Sequence, residues 1–245
     1  MVANRSACPP RNPVRHRPAP ARNRRSRRCA QRRFGRTTAA RPYRGAVRAG
    51  LADIAAAKDR LRGRLLAARR TRDAPARRAA RRANGEHLRA ALRDVACIAA
   101  YLPLPTEPLD PALLDELAAT HRVLVPVVTG AAPLNWCDYP TQLRPGPLGI
   151  AEPSGPRLGP EAITGADVVL IPALAVDAQG HRLGRGGGHY DRTLALRAEL
   201  AGTTSAPLLL AVLYDEELLP AVPFDALDQR VSALVRPSSG VLRLG

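Results

Sequence analysis

Asp177-Ala-Gln-Gly-His-Arg-Leu-Gly-Arg-Gly-Gly-Gly-His-Tyr-Asp-Arg192 is the stretch on which the reading of the fold turns. It stands between Val168–Leu174, a continuous apolar run of strand length, and His189–Leu200, which reads as a helix. Gly184, Gly186, Gly187 and Gly188 fall within five positions. Glycines there let backbone N–H groups approach an anion closely, and the helix that follows adds the partial positive charge of its N-terminus. Arg182 and Arg185 supply cationic forks for phosphate oxygens. The pattern is neither a Walker A loop, because the Gly-Lys-Ser/Thr ending is missing, nor a dinucleotide-binding Gly-x-Gly-x-x-Gly. The plain alternative is a flexible glycine turn with solvated arginines.

Working outward, the same alternation of buried strand and helix recurs. Leu51, Ile54, Leu61, Leu65 and Ala68 recur at three- and four-residue spacing, one face of an amphipathic helix, and Lys58 falls on that apolar line. A second, Arg/Ala-rich helix follows Pro75 and runs to about Arg93. Val95–Leu102 is apolar throughout, as expected for a strand covered on both faces. Asp110-Pro111 then opens a helix to about Thr120, with Asp as N-cap and Pro at the first helical position. Val123–Val128 reads as a strand, Pro133–Tyr139 as an edge strand or hairpin, and Pro145–Pro156 as a Gly/Pro-rich connection. Leu208–Leu213 and Val231–Val235 close the series as strands. Such alternation predicts a three-layer α/β fold, a largely parallel sheet flanked by helices, with catalysis at the carboxyl ends of its strands.

The formal charge of +17 on 245 residues is concentrated at one end. Residues 1–50 hold fifteen arginines and no lysine, aspartate or glutamate; the remainder has 23 basic against 21 acidic residues. The body is thus nearly neutral, and nucleic acid is expected to bind, if at all, non-specifically through residues 1–50. That Arg/Pro/Ala-rich segment cannot bury enough apolar surface to offset its ordering entropy, so it is expected to be disordered. It resembles an organelle transit peptide in lacking acids; equally, translation starting near Val47 would leave it out of the protein. Residues 51–245 form the expected catalytic domain. Cys8, Cys29, Cys97 and Cys137 make no Cys-x-x-Cys pair, and Cys97 sits in an apolar run, which fits a reducing cytoplasm rather than a disulfide framework. No apolar stretch approaches the length needed to span a bilayer.

The run Arg182-Leu-Gly-x-Gly-x-Gly-His-Tyr-Asp-Arg192 after an Asp-x-x-Gly turn is similar to the signature of the 5-formyltetrahydrofolate cyclo-ligase family, also called methenyltetrahydrofolate synthetases. Four further stretches match in order: Lys58–Arg62, Tyr101-Leu-Pro-Leu-Pro-Thr-Glu107, Gly149-Ile-Ala-Glu152-Pro153 and Pro223 to Asp228. The resemblance spans about Leu51 to Pro237 and implies a Rossmann-like sheet akin to sugar-phosphate isomerases and CoA transferases. With the cysteine and hydropathy readings above, the expectation is a cytoplasmic enzyme, a monomer or weak homo-oligomer with no membrane partner. The resemblance also implies ATP-dependent conversion of 5-formyltetrahydrofolate to 5,10-methenyltetrahydrofolate, with ADP and phosphate released. In the implied route the formyl oxygen is phosphorylated, N10 attacks the activated carbon and phosphate departs, a reaction served mainly by positioning and charge neutralisation.

Residue by residue, the resemblance implies that Lys58, Arg62 and the run Arg182, Leu183, Gly184, Arg185, Gly186, Gly187, Gly188, His189 and Tyr190 hold ATP, with Lys58 and Arg185 catalytic. Lys58 and Arg62, four apart on one helix face, make more sense with an anion between them than as a solvated pair. Leu102 and Glu107, with Arg185, His189 and Tyr190, are implied to contact the folate, and a carboxylate suits the donor edge of a pterin ring. Asp191 and Asp228 are implied to hold Mg2+. An acid beside a triphosphate repels it unless a divalent cation bridges them, although the helix dipole alone also favours Asp191 where it stands. Two departures stand out: His189 replaces the commoner tyrosine, and Ser232 and Arg236 replace an acid and a threonine. His87, His121 and His181 have no partner recognisable in the sequence. Two rival classes, a sugar-phosphate isomerase or transferase and a nucleic-acid-binding protein, are separated from this one by nucleotide turnover and by deletion of residues 1–50.

Overall fold

In the computed structural model, residues 43–146, 151–200 and 207–244 are described, so the expected disorder of the N-terminal segment falls outside them up to residue 42. Two helices open the chain, α1 (Tyr43–Thr71) and α2 (Ala74–Ala91). The helix expected from Leu51 therefore begins earlier, within the Arg-rich segment. The Asp73 carboxylate accepts from the Ala76 N–H and Pro75 occupies the first turn, which makes the break between the two helices a capped start.

Five strands form the parallel centre: β1 (Cys97–Ala99), β2 (Arg122–Val127), β6 (Val168–Pro172), β9 (Leu208–Val212) and β11 (Ala233–Arg236). Antiparallel edges are added by β3 (Asn135–Tyr139) beside β2 and β12 (Gly240–Arg243) beside β11. The order is β12-β11-β9-β6-β1-β2-β3. From β1 the chain moves out through β2 and β3, then returns to add β6 on the other side of β1. The strand order reverses at the β1/β6 seam, the place where open α/β sheets form their ligand crevice.

Both faces of this sheet are buried, and the period-two alternation of strand side chains sorts residues between two cores. Ile98, Val168, Leu170, Leu210 and Val212 face α2 and α3 (Ala112–Ala118) through Leu88, Leu92, Leu113, Leu114 and Leu117. Cys97, Ala99, Val169, Ile171 and Ala211 face the other way, onto Leu194 of α4 (His189–Leu200) and Ile163 of a short 3-10 turn. This is the expected three-layer arrangement. Cys97 and Cys137 are buried free thiols, packed as small apolar side chains.

Several elements differ from the sequence expectation. The α3 helix starts at Ala112 with Pro111 at the cap, while the Asp110 carboxylate accepts from the Ala112 N–H, so the capping acid is right and the helix begins one residue later. The supposed connection at 145–156 contains half of a hairpin, β4 (Leu143–Pro145) with β5 (Ala151–Pro153). A second small sheet, β10 (Leu218–Leu219), β7 (Ala175–Asp177) and β8 (Arg182–Leu183), was not anticipated. It carries α1: Leu61, Leu65 and Leu66 pack on Leu174, Ala175, Leu183, Leu219 and Val222. That docking brings the Lys58 face of α1 against the glycine loop. Among the described residues, no helix is long and apolar enough to cross a membrane.

Candidate active site

A cavity of about 580 Å3 opens at the carboxyl ends of β1, β2 and β6, and all the sequence-predicted site residues line it. Tyr101 and Leu102 leave the end of β1, Pro126 and Val128 the end of β2, and Pro172, Ala173 and Leu174 the end of β6. The residues from Arg182 to Asp191 form one wall, Lys58 and Arg62 of α1 a second, and Asp225, Leu227 and Asp228 a third. Leu134 and Leu104 complete an apolar interior suited to a flat ring system.

The glycine loop is shaped by backbone conformations that only glycine adopts without strain. Gly186 and Gly188 have φ of 101° and 64°, and a Cβ on Gly184 would meet the Arg182 guanidinium at 2.8 Å. The loop ends at the N-terminus of α4, so its N–H groups and the helix dipole share one end of the cavity.

The cations are not free forks. Lys58 donates to Asp225 Oδ2 at 2.7 Å and to Asp228 Oδ2 at 2.5 Å. Burial works to lower the Lys58 pKa, yet the two carboxylates outweigh it and leave it raised. Hydrogen bonding from Lys58 in turn holds the Asp225 carboxyl below its usual value. Arg62 donates to the Gly184 carbonyl at 3.0 Å and pairs with Asp59. The anion expected between Lys58 and Arg62 is thus supplied on the Lys58 side by the protein. Arg182 is enclosed rather than presented at the surface: its guanidinium donates to Asp191 Oδ1 at 2.8 Å and to the Pro172 carbonyl. Arg185 reaches across the cavity to Glu107 Oε1 at 3.2 Å.

Glu107 lies in a proline-stiffened loop and its Oε2 accepts from the Leu104 N–H at 3.0 Å. Behind it stands Arg69, which sequence reading missed. This guanidinium is 2% exposed, binds Glu217 through Nε (2.6 Å) and a terminal nitrogen (2.8 Å), donates to the Ala173 carbonyl, and comes within 3.9 Å of Glu107. Arg69 continues the face of Lys58, Arg62 and Leu65 at helical spacing, and that was the available signal. The Tyr101 and Tyr190 hydroxyls are buried without a partner among the described residues. Burial raises both pKa values, so both phenols are neutral.

Asp191 and Asp228 are brought together, because Asp191 Oδ1 also accepts from the N–H of Gln229. Asp228 Oδ2 takes the Asp225 N–H besides Lys58. Among the described residues, each acid engages one oxygen only, and no three His, Cys, Asp or Glu side chains converge as a metal cluster. His189 Nε2 donates to the Gly130 carbonyl, which fixes the ring at the cavity edge. Ser232 and Arg236 lie outside the cavity, bonded to Leu209 and to the Asp215 carbonyl, so those departures leave its lining intact. The three lone histidines all have partners: His87 meets the Pro237 carbonyl and His121 the Leu92 carbonyl. His181 meets Asp177 and stacks on Phe224 with ring centroids 3.6 Å apart.

Residues 54–237 match the model of the 5-formyltetrahydrofolate cyclo-ligase family. A 5-formyltetrahydrofolate cyclo-ligase of Mycolicibacterium smegmatis is 42% identical over 158 residues, 60% of this chain and 76% of that protein. One from Escherichia coli is 33% identical over 140 residues, 55% of this chain and 72% of that protein. The solution structure of Aquifex aeolicus 5,10-methenyltetrahydrofolate synthetase superposes with a TM-score of 0.64 at 29% identity, covering 76% of this chain and 92% of the other.

Proposed function

This chain belongs to the 5-formyltetrahydrofolate cyclo-ligase family, and from that premise we propose that the cavity at the β1/β6 seam binds ATP along the glycine loop and 5-formyltetrahydrofolate against Glu107. The reaction is the ATP-dependent closure of 5-formyltetrahydrofolate to 5,10-methenyltetrahydrofolate, with ADP and phosphate released. The observation that carries the assignment is the convergence in one cavity of the glycine loop, the cations Lys58, Arg62, Arg182 and Arg185, and the buried Glu107 carboxylate facing an apolar interior. The formyl oxygen is a poor leaving group until it carries the γ-phosphoryl group. Once it does, N10 attacks the formyl carbon, the C–O bond breaks and the oxygen leaves as phosphate. Loop N–H groups, Lys58, Arg62 and Arg185 neutralise the charge that moves, and no side-chain nucleophile is required.

Mg2+ fits the residues present. Magnesium is usually held by one or two carboxylates together with phosphate oxygens and water, not by an all-protein cage. Asp191 and Asp228, adjacent through Gln229 and each with one oxygen engaged by the protein, offer that partial donor set. When bound, the ion would screen the triphosphate from both acids. The buried free thiols Cys97 and Cys137 support a reducing, cytoplasmic setting.

Turnover of 5-formyltetrahydrofolate, followed by the absorbance of the methenyl product, should require both ATP and Mg2+; full conversion without nucleotide would end this assignment. Lys58→Ala is expected to raise the KM for ATP by about tenfold, corresponding to the ~1.4 kcal/mol scale of one charge-assisted contact, with little change for folate. Glu107→Ala should do the reverse. Equal effects of both variants on the two KM values would remove the division of the cavity.

A further inference from the structure

We propose that the Arg185–Glu107 ion pair makes nucleotide and folate binding mutually reinforcing, each ligand releasing the partner that the other needs. The inference rests on the assignment of Arg185 to phosphate and Glu107 to the folate.

Each side of the pair has a distinct position. Glu107 is enclosed, its side chain 5% exposed, with Oε2 fixed by the Leu104 N–H and Oε1 backed by Arg69 at 3.9 Å. Arg185, 38% exposed, donates to that same Oε1 from the cavity side at 3.2 Å. It therefore occupies an acceptor position that a ring N–H or amino group would need. A donor edge arriving at Glu107 has to move the guanidinium aside.

Arg185 has one alternative partner close by. It stands inside the glycine loop, between Gly184 and Gly186, where the backbone and the α4 N-terminus favour an anion. A phosphate bound there offers Arg185 a charge-assisted bond in place of the one to Glu107. With nucleotide bound, the folate meets a carboxylate already uncovered. With folate bound, the nucleotide meets an arginine already released. Linkage makes the two effects equal in size.

Lys58 and Arg182 do not provide this link. Their acidic partners are Asp225, Asp228 and Asp191, all on the nucleotide side of the cavity. Only the Arg185 pair joins the glycine loop to the loop that follows β1, among the ion pairs of the described residues.

The test titrates 5-formyltetrahydrofolate into the full-length protein by calorimetry, with and without Mg2+ and a non-hydrolysable ATP analogue. The wild type should bind folate about 5- to 150-fold more tightly with the analogue present, the usual range of coupling between two sites. In Arg185→Ala that ratio should fall below about twofold, whatever the variant's own affinity for folate without nucleotide. Arg185→Lys should retain part of the ratio. A wild-type ratio near one, or a full ratio in Arg185→Ala, overturns the proposal. Glu107→Gln separates this from failure of the site assignment. If it weakens nucleotide-free folate binding while the wild-type ratio is near one, the coupling alone is wrong; if it leaves folate binding unchanged, the assignment of Glu107 falls and the coupling with it.

Discussion

Replacement of Arg69 by methionine is expected to destabilise the fold by about 3–5 kcal/mol, the usual result of leaving one member of a buried ion pair behind. Glu217 is 2% exposed and takes two hydrogen bonds from Arg69, so the variant strands a carboxylate with no access to water. For a domain of this size the loss corresponds to a fall in Tm of roughly 10 °C. The effect should be larger than for a surface pair because Arg69 is also a tether. It binds the Ala173 carbonyl after β6, Glu217 after β9, and approaches Glu107 after β1, so one helix side chain ties the carboxyl ends of three adjacent strands. The double variant Arg69→Met/Glu217→Leu removes the stranded charge and should recover most of the stability, since a buried pair replaced as a unit is often neutral. Its folate KM should nevertheless stay high, because Glu107 has lost its backing. Thermal unfolding of the three proteins, with KM values for the folded ones, separates the two roles. A single variant within about 1 kcal/mol of wild type would mean that the site's floor does not depend on Arg69.

Arg69 also marks where sequence reading stops. The glycine loop was legible because its residue types are chemically unusual together, and Lys58 was legible because a lysine on an apolar stripe needs a reason. Arg69 lies in a helix that also carries Arg60, Arg64 and Arg70, and spacing alone cannot say which of several arginines a neighbouring strand end will cover. Asp225 was hidden for a related reason. It lies three residues before the recognised Asp228, yet its value comes from Lys58, 167 positions away. The long buried strands announced themselves by apolar runs. Strands β7, β8 and β10 have only two or three residues each, too few for any periodicity, and exist because α1 covers them. Tyr101 read as the end of an apolar strand, and only the cavity shows that it stands where the strand has finished.

The last expectation concerns Asp191→Asn, which should abolish most of the coupling between Mg2+ and nucleotide. An acid in the first turn of α4 is favoured by the helix dipole whether or not it binds metal. It is also partly neutralised already, since Arg182, with a side chain 3% exposed, donates to its Oδ1. If that neutralisation were complete, the triphosphate would tolerate Asp191 without Mg2+, and the variant would change little beyond the Arg182 contact. The geometry argues otherwise. Arg182 and the Gln229 N–H both take Oδ1, which leaves Oδ2 with no partner among the described residues, beside a second acid at Asp228. Asparagine keeps the acceptor that Arg182 and Gln229 need and replaces the open oxygen by an amide group that cannot ligate a cation. Wild type should bind an ATP analogue about 5- to 150-fold more tightly with Mg2+ than without it, or ~1–3 kcal/mol of coupling. In Asp191→Asn the ratio should drop below about threefold, with metal-free binding unchanged or improved because a like charge beside the phosphates is gone. Turnover should slow in proportion to the lost metal. Calorimetric titrations with and without Mg2+ on both proteins read the ratio directly, and a melting curve checks that the Arg182 contact survives. An undiminished ratio in the variant would make Asp191 the counterion of Arg182 and nothing more, and would leave the metal to Asp228 and the phosphates.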